Sequence, residues 1–353
     1  YKSLLFFHIN DAIKSGELSL KHSYRYLSIE QYLFDKEFWK KNRERLIKEA
    51  GLENYENIEK LLEELKTEFH NQYNITNQNI ISGQNKYVKL NQKGKPTPIT
   101  PKLEISDEES QETVRSLFPK NQFYPILQIL KDVNNTTNFL DCFEHYSAKH
   151  SKIKPRDEIF FSGIMGKGFD IGVNKISGIS KGINSNTLSN TTNWYFLTEN
   201  LHSANNVINQ FIQELALPNI YLKNNNQIHT SSDGQKFNMS VESLNSNYSF
   251  KYHGKEKGLS VYSLIDNRSR LTYNTAFSSS YREAAFVIDG LIHNDEIKSD
   301  IHSTDSHGYT EAIFATTHMM DIFFAPRIKN LKKQKIYSFK EDGTLISDYK
   351  NKN

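Results

Sequence analysis

The sequence predicts an α/β protein in which a helical N-terminal part precedes a mixed sheet flanked by helices. Two observations support this prediction: apolar residues recur at helical spacing as far as residue 217, and short segments rich in Tyr, Val, Ile and Thr follow from residue 228. With 353 residues, the chain exceeds the usual size of one domain. We expect a helical region with a basic linker at 1–100, a second helical region at 101–218 and a sheet domain at 219–353.

The composition excludes several classes of protein. Lys and Arg number 44 against 41 Asp and Glu, so the net charge of +3 does not by itself identify a nucleic-acid-binding protein. Cys142 is the only cysteine, which excludes a disulfide framework within the chain. No apolar run is long enough to cross a bilayer, and the mean hydropathy is −0.65. Because the chain begins at Tyr1 without a methionine, we expect it to be part of a longer protein.

The region 1–100 opens with apolar residues that predict a helix ending before Gly16. A second helix is predicted at 57–69, where Ile and Leu recur at helical spacing. Between the two helices, basic and aromatic residues mix at 21–39, which suits either contact with nucleic acid or a helical core with solvated lysines. The lysine-rich and turn-rich segment 82–101 is predicted to be a connector, either a mobile surface loop or a contact to a phosphate backbone.

The region 101–218 contains the clearest helical pattern of the chain, an apolar stripe at 193–217 that stops before Pro218. Upstream, glycines cluster between residues 163 and 172 and suggest a phosphate-binding loop, but their spacing fits neither the Walker pattern nor the dinucleotide fingerprint. Turns, or the close approach of backbone segments, explain these glycines better.

The region 219–353 alternates strands and helices. We expect strands at 228–232, 248–252, 259–265 and 271–277, a helix at 282–293, a strand at 301–304, a helix at 309–321 and a strand at 322–325. This order is that of a ribonuclease-H-like mixed sheet flanked by helices. In that arrangement, the first strand and the strand after the first helix are neighbours.

Two similar segments on these neighbouring strands each carry an aspartate. Asp233 lies in IHTSSDGQKF and Asp305 in IHSTDSHGYTE, and each is predicted to end a strand before a turn through Gly234 or Gly308. Two carboxylates held close together repel each other unless a cation lies between them. The pair therefore predicts a magnesium or manganese site with oxygen ligands, which is typical of enzymes that transfer phosphoryl groups.

Four segments make the sequence similar to a known family: SSDGQKF at 231–237, KYHGKEKG at 251–258, STDSHGYTE at 303–311 and FAPRI at 324–328. In this order they resemble the transposases of class II, cointegrate-forming bacterial transposons, the Tn-three-type members of the DDE recombinase group. Upstream, the segments at 13–33 and 192–201 also resemble that family, so the resemblance covers nearly the whole chain.

The resemblance implies a ribonuclease-H-like catalytic domain in which two aspartates and a later glutamate bind two divalent ions, Mg²⁺ or Mn²⁺. Asp233 matches the first acid and Asp305 matches the second. The family's third acid lies well beyond the second, and Glu311 is too close to Asp305 to replace it. We therefore expect the catalytic domain to be incomplete at its C-terminus and this chain to be inactive alone.

For the parent enzyme, the resemblance implies hydrolysis of the phosphodiester at each transposon 3′ end, followed by attack of the freed 3′-hydroxyls on target DNA. The implied partners are the terminal inverted repeats, the target DNA and a second copy in a homodimer, in the bacterial cytoplasm at the nucleoid and away from membranes. The alternatives are an inactive DNA-binding or dimerising fragment with the same fold, and an unrelated hydrolase that uses the aspartates as acid and base.

Several polar residues near the two acids are weaker candidates. Gln235, His307 and Arg327 are expected either to support the metal ligands and contact DNA or to make ordinary hydrogen bonds at strand ends. The ordinary interpretation is favoured for Lys236. His229 and His302 precede the acids, but strand alternation favours a structural role for both histidines.

Overall fold

The computed structural model describes residues 1–23, 25–99, 112, 115–116, 123–147, 154–222, 227–240, 243–294 and 297–330. The chain divides into two compact units, one formed by 1–121 together with 330–353 and the other by 122–329. The expected boundary after residue 218 falls inside the second unit, and the division into three regions stays a prediction. Within the described ranges, no helix has both the length and the apolar character needed to cross a bilayer.

In the residues described, the first unit contains helices and a small hairpin. Its elements are α1 (Lys2–Ser15), α2 (Ile29–Tyr32), α3 (Lys36–Glu49), a 3₁₀ turn (Glu53–Glu56), α4 (Ile58–Ile81), β1 (Val88–Leu90) and β2 (Pro96–Pro98). Helix α1 ends as predicted at Gly16, whose φ of +82° is a left-handed conformation that favours glycine. The antiparallel pairing of β1 with β2 gives part of the predicted connector a regular structure. Residues 100 and 101 of that connector lie outside the described residues.

The second unit begins with helices. They are α5 (Ile126–Thr137), α6 (Asp157–Gly168), α7 (Val173–Ile179), α8 (Ser185–Trp194) and α9 (Thr198–Glu214), with 3₁₀ turns at Phe139–Cys142 and Leu217–Tyr221. The helix predicted at 193–217 is present as α9, but it begins only at Thr198, because a break in the helical structure at residues 195–197 separates it from α8. At the break, the rings of Tyr195 and Phe196 pack against Phe160 with centroid distances of 5.5 and 6.4 Å. A Cβ at Gly163 would lie 2.7 Å from Phe196, so this glycine permits the close approach that the sequence suggested.

One mixed sheet dominates the rest of the second unit. Its elements are β3 (His229–Met239), β4 (Asn247–Tyr248), α10 (Phe250–His253), β5 (Lys257–Asp266), β6 (Leu271–Ser278), α11 (Ala284–Ile292), β7 (Ile301–Thr304), α12 (Glu311–Met319) and β8 (Phe323–Phe324). β5 pairs in antiparallel fashion with β3 along one edge and with β4 and β6 along the other. On its other side β3 pairs in parallel with β7, and β7 pairs in parallel with β8. The predicted α/β fold is confirmed, and the first strand, β3, and the strand after the helix, β7, are neighbours as predicted.

Two strand predictions need correction. The segment 248–252 is mainly the short helix α10, because His253 turns inward and contacts Asn238 and Ser279 through its two ring nitrogens, at 2.7 and 2.8 Å. β3 does not end at Asp233, since its pairing with β5 continues to Met239. Gly234 therefore lies within a strand and not in a turn.

The two faces of the sheet differ. Helices α11 and α12 cover one face and enclose the core, which includes Tyr262, Leu264, Phe277, Val287 and Ile313. On the opposite face, Phe237 and Ile265 stay 42% and 45% exposed. Because side chains alternate along β3, Asp233 lies on this open face together with Phe237. The fold thus leaves the surface around Asp233 accessible.

Candidate metal centre

Three carboxylates meet where β7 ends beside β3. Ser232 and Thr304 are paired in parallel register, so the residues that follow them, Asp233 and Asp305, emerge side by side as the strand order predicts. The side chain of Glu283, the residue just before α11, extends to the same point. One carboxylate oxygen of each acid lies within 4.8 Å of the corresponding oxygens of the other two.

Backbone donors orient both aspartates. Oδ1 of Asp305 accepts hydrogen bonds from the backbone N–H groups of His307 and Gly308, at 2.8 and 3.2 Å. Oδ1 of Asp233 accepts one from the N–H of Gly234 at 2.8 Å. The turn after β7 is therefore built around the carboxylate of Asp305, which leaves the direction of its side chain little freedom.

Glu283 is a member of the cluster that reasoning from the sequence missed. Its side chain is 11% exposed, and Oε1 lies 2.6 Å from Nζ of Lys236. Its carboxyl group covers Gly234, where an added Cβ would lie 2.8 Å from the carboxyl carbon. The only signals in the sequence were a glycine within SSDGQKF and an acid in the first turn of a predicted helix, and neither indicates that the two residues are in contact.

An open cavity of 520 Å³ lies over the exposed face of the sheet and includes Asp233 and Asp305 in its wall. Gln235 and Arg327, two of the predicted supporting residues, also line this cavity. His307 is exposed, and its contact with Asp305 is made by its backbone N–H.

A buried hydrogen-bond chain links the strands that carry the aspartates. The ring nitrogens of His302 lie 2.8 Å from the hydroxyl oxygens of Thr230 and Ser232, and the chain continues to Ser299 and Tyr262. His302 is fully buried. Burial, together with the nearby His229, lowers the pKa of His302 to about 4. The buried, hydrogen-bonded position of His302 agrees with the structural role, and not a metal-binding one, that strand alternation favours for this residue.

Comparison with known proteins identifies the family. The family model described as Tn3 transposase DDE domain matches residues 128–352. The chain belongs to this family.

Named relatives of this Tn3-family chain are transposases. It is 26% identical over 343 residues to the transposase for transposon Tn1546 of Enterococcus faecium, a match that covers 96% of this chain and 33% of the relative. It is 24% identical over 340 residues to the transposase for transposon Tn2501 of Escherichia coli, with the same two coverages. A match to the transposase for transposon Tn501 of Pseudomonas aeruginosa has 27% identity and covers 60% of this chain and 21% of the relative. The chain thus spans about a third of the length of its first two relatives.

The acidic cluster of this Tn3-family chain fits a divalent cation. All three side chains offer carboxylate oxygens, which are the ligands preferred by Mg²⁺ and Mn²⁺. Three carboxylates within 4.8 Å of one another carry a charge of −3, and the Lys236 ammonium paired with Glu283 offsets one of these charges. A divalent ion between Asp233 and Asp305 would balance the remaining two charges.

We predict that the neutral state of His302 makes stability depend on pH. The pKa of this histidine is about 4 in the folded chain against an ordinary value of 6.5, so the unfolded chain binds more protons between these values. The stabilisation that comes from neutral His302 is fully present above pH 6.5 and is lost as the pH falls toward 4. The free energy of unfolding falls by a total of about 3 kcal/mol over this range.

Urea denaturation between pH 4 and pH 7 measures this effect in the wild type and in His302→Gln. The variant lacks the titrating ring, so its stability should fall less steeply with decreasing pH. Equal slopes in the two proteins would show that the ring of His302 is not the group responsible.

Proposed function

We propose that this chain contributes Asp233 and Asp305 to the catalytic centre of a DNA transposase, where the two side chains bind a divalent ion, Mg²⁺ or Mn²⁺. The observation that carries the proposal is the convergence of these carboxylates from adjacent parallel strands onto an open face of the sheet. Its membership of the Tn3 transposase DDE family supports the same assignment. In the parent enzyme we expect two such ions.

The proposed reaction has two steps. Water attacks the phosphorus at each transposon 3′ end, the bond to the 3′ oxygen breaks, and a 3′-hydroxyl is released. That hydroxyl then attacks a phosphodiester of the target DNA, so that one phosphodiester forms as another breaks. When bound, divalent ions stabilise the negative charge that develops on the attacking and leaving oxygens.

The residues of this chain have distinct tasks in the proposal. The carboxylates of Asp233 and Asp305 hold the cations, and the backbone N–H groups of His307 and Gly308 keep Asp305 directed at the site. Arg327 and Gln235 line the same cavity and are proposed to contact the phosphates of bound DNA. The open face gives DNA access without rearrangement of the core.

The names of the relatives suggest the biological context. Each is the transposase for a named transposon, so we propose that the substrates are transposon ends with their terminal inverted repeats and a target DNA. Joining two ends requires them to be held together, which we assign to a homodimer of the parent protein. These substrates lead us to propose that the protein acts at the bacterial nucleoid.

A nicking assay tests the proposal. Transposon-end DNA is incubated with Mg²⁺ and either this chain or a chain extended past Asn353, and the released 3′ ends are counted. We expect nicking by the extended chain that stops when a chelator is added. Nicking in the presence of chelator would contradict the proposal and favour an acid–base hydrolase, whereas DNA binding without nicking by either chain would favour an inactive binding fragment.

We predict that Gly234→Ala weakens Mn²⁺ binding by about tenfold, which corresponds to ~1.4 kcal/mol. The new Cβ would collide with the carboxyl group of Glu283 at 2.8 Å and displace it from Lys236 and from the two aspartates. Isothermal titration with Mn²⁺ measures the affinity. Gly178→Ala is the matched control, because nothing lies within 4 Å of the Cβ added there. Equal affinity in both variants would mean that the position of Glu283 does not influence the metal site.

A further inference from the structure

An exposed surface of aromatic and basic residues lies beside the acidic cluster and takes no part in the reaction proposed above. Helix α10 and strand β4 present Tyr248, Phe250 and Tyr252, which are 49%, 74% and 40% exposed. Lys251 lies among these rings, within the KYHGKEKG segment. Basic residues interleaved with exposed aromatic rings are typical of surfaces that bind single-stranded nucleic acid, on which bases stack.

Lys236 connects Tyr252 to the acidic cluster. Nζ of Lys236 lies 4.5 Å from the centre of the Tyr252 ring and 2.6 Å from Oε1 of Glu283. One ammonium thus contacts both the ring and a carboxylate that approaches Asp233 and Asp305. A nucleotide stacked on Tyr252 would consequently lie close to a phosphate bound at the acids.

Lys251 makes a second contact with the same ring. Its Nζ lies 4.6 Å from the ring centre and donates a hydrogen bond to the Tyr252 hydroxyl at 2.8 Å. Because Lys251 is exposed, water weakens this contact with the ring. Lys251 can therefore move to a DNA phosphate and leave a face of the ring to a base, while Lys236 remains paired with Glu283.

The surface is held rigidly in the fold. His253, the residue after Tyr252, is 7% exposed and contacts Asn238 of β3 and Ser279 after β6 through its two ring nitrogens. A Cβ at Gly258 would lie 2.2 Å from the His253 ring, so glycine is required where β5 passes this histidine. The ring of Tyr252 is thus presented from an anchored segment, which lowers the entropic cost of stacking a base on it.

We propose that Tyr252, together with Lys236 and Lys251, binds an unpaired nucleotide of the DNA next to the phosphate held at the acids. The base stacks on the Tyr252 ring, and its phosphate pairs with Lys251. An unpaired nucleotide fits better than a duplex, because the flat faces of bases inside a duplex are covered by their neighbours, and a duplex backbone needs only the lysines. This inference rests on the proposed function, since it assumes that DNA is bound at the acids.

Fluorescence anisotropy in the presence of chelator tests this inference without any catalysis. The probes are a labelled oligo-dT strand and a blunt labelled duplex of equal length, titrated with the wild type, Tyr252→Leu, Tyr252→Phe and Lys251→Gln. Tyr252→Leu should weaken binding of the single strand about tenfold and binding of the duplex less than twofold. Tyr252→Phe keeps the ring and should stay within twofold of the wild type, and Lys251→Gln should weaken binding of the single strand and reduce its dependence on salt.

Tyr146→Leu is the matched control, because it removes a 70% exposed tyrosine elsewhere in the same unit and should leave both affinities unchanged. Unchanged binding of the single strand by Tyr252→Leu, or an equal loss with the duplex, overturns the inference while the proposed function stands. If the wild type binds neither probe, both fail. If Tyr252→Leu does not fold, Tyr252→Trp replaces it and should bind the single strand at least as tightly as the wild type; weaker binding by this variant overturns the inference.

Discussion

Replacing either aspartate of the cluster by its amide, in Asp233→Asn or Asp305→Asn, should reduce nicking of transposon ends about 10³-fold or more. The amide keeps the shape of the side chain but removes the charge and one of the two oxygens that would hold a divalent ion. Because the two carboxylates converge on one point, loss of either should be nearly as damaging as loss of both. The measurement is the rate of 3′-end release in Mg²⁺ by the active form of the protein.

The control for this prediction is Asp300→Asn. Asp300 is an exposed acid just before β7, and its Oδ2 accepts a hydrogen bond from the N–H of Ile228, which an amide oxygen can also accept. The nicking rate of Asp300→Asn should match that of the wild type. If Asp233→Asn or Asp305→Asn nicks as fast as Asp300→Asn, the two aspartates do not have the proposed role. Nicking by the chain that ends at Asn353 would contradict our expectation that it is inactive alone.

The second large effect concerns stability. Asp266→Ala should lower the free energy of unfolding by about 3–5 kcal/mol, because it leaves the guanidinium of Arg270 buried without its counter-ion. The two side chains are 0% and 2% exposed, with Nη2 of Arg270 2.7 Å from Oδ2 of Asp266. Oδ1 of Asp266 also accepts the backbone N–H groups of Arg268 and Arg270, and Nη1 of Arg270 reaches Gln213 in α9. The pair thus connects the β5–β6 hairpin to the helical part of the unit.

Urea denaturation of the whole chain measures this effect. The double variant Asp266→Leu with Arg270→Met should recover much of the loss, because it leaves no unpaired charge in the core. Asp141→Ala removes an exposed partner of Lys154, at 3.8 Å and 85% exposure, and should cost less than about 1 kcal/mol. A similar small cost for Asp266→Ala would mean that water reaches Arg270 in the folded chain.

The order of the elements could be predicted from the sequence because each strand or helix carries its own local pattern. β5 and β6 could be recognised because their segments are rich in Tyr, Val, Ile and Thr and are separated by turn residues, and α1 ends at the predicted glycine, Gly16. The ends of β3 and of the helix predicted at 193–217 depend on partners distant in sequence. Gly234 has the pattern of a turn residue, and only the structure shows that Glu283 packs over it. Phe196 fits the predicted helical stripe, and only the structure shows that its ring packs against Phe160 before α9 begins.

Two of the three acids in the candidate site could be predicted from the sequence, and the third could not. Asp233 and Asp305 follow similar segments on strands whose order could be inferred, so their proximity follows from the topology. Glu283 could not be found in this way, because its approach depends on the path of the chain between β6 and α11 and on the missing side chain at Gly234. Its ion pair with Lys236 also gives a specific partner to a lysine for which an ordinary surface role was favoured.

The central claim is that the carboxylates of Asp233 and Asp305 share one divalent ion, and Mn²⁺ binding measured by electron paramagnetic resonance tests it most directly. Titration of this chain should give a bound Mn²⁺ signal. Asp233→Asn and Asp305→Asn should each weaken Mn²⁺ binding at least about tenfold. The variant with both substitutions should bind Mn²⁺ only slightly more weakly than either single variant, because each substitution alone already disrupts the same site. Asp300→Asn should bind as the wild type does. Undiminished Mn²⁺ binding in both single variants would contradict the claim.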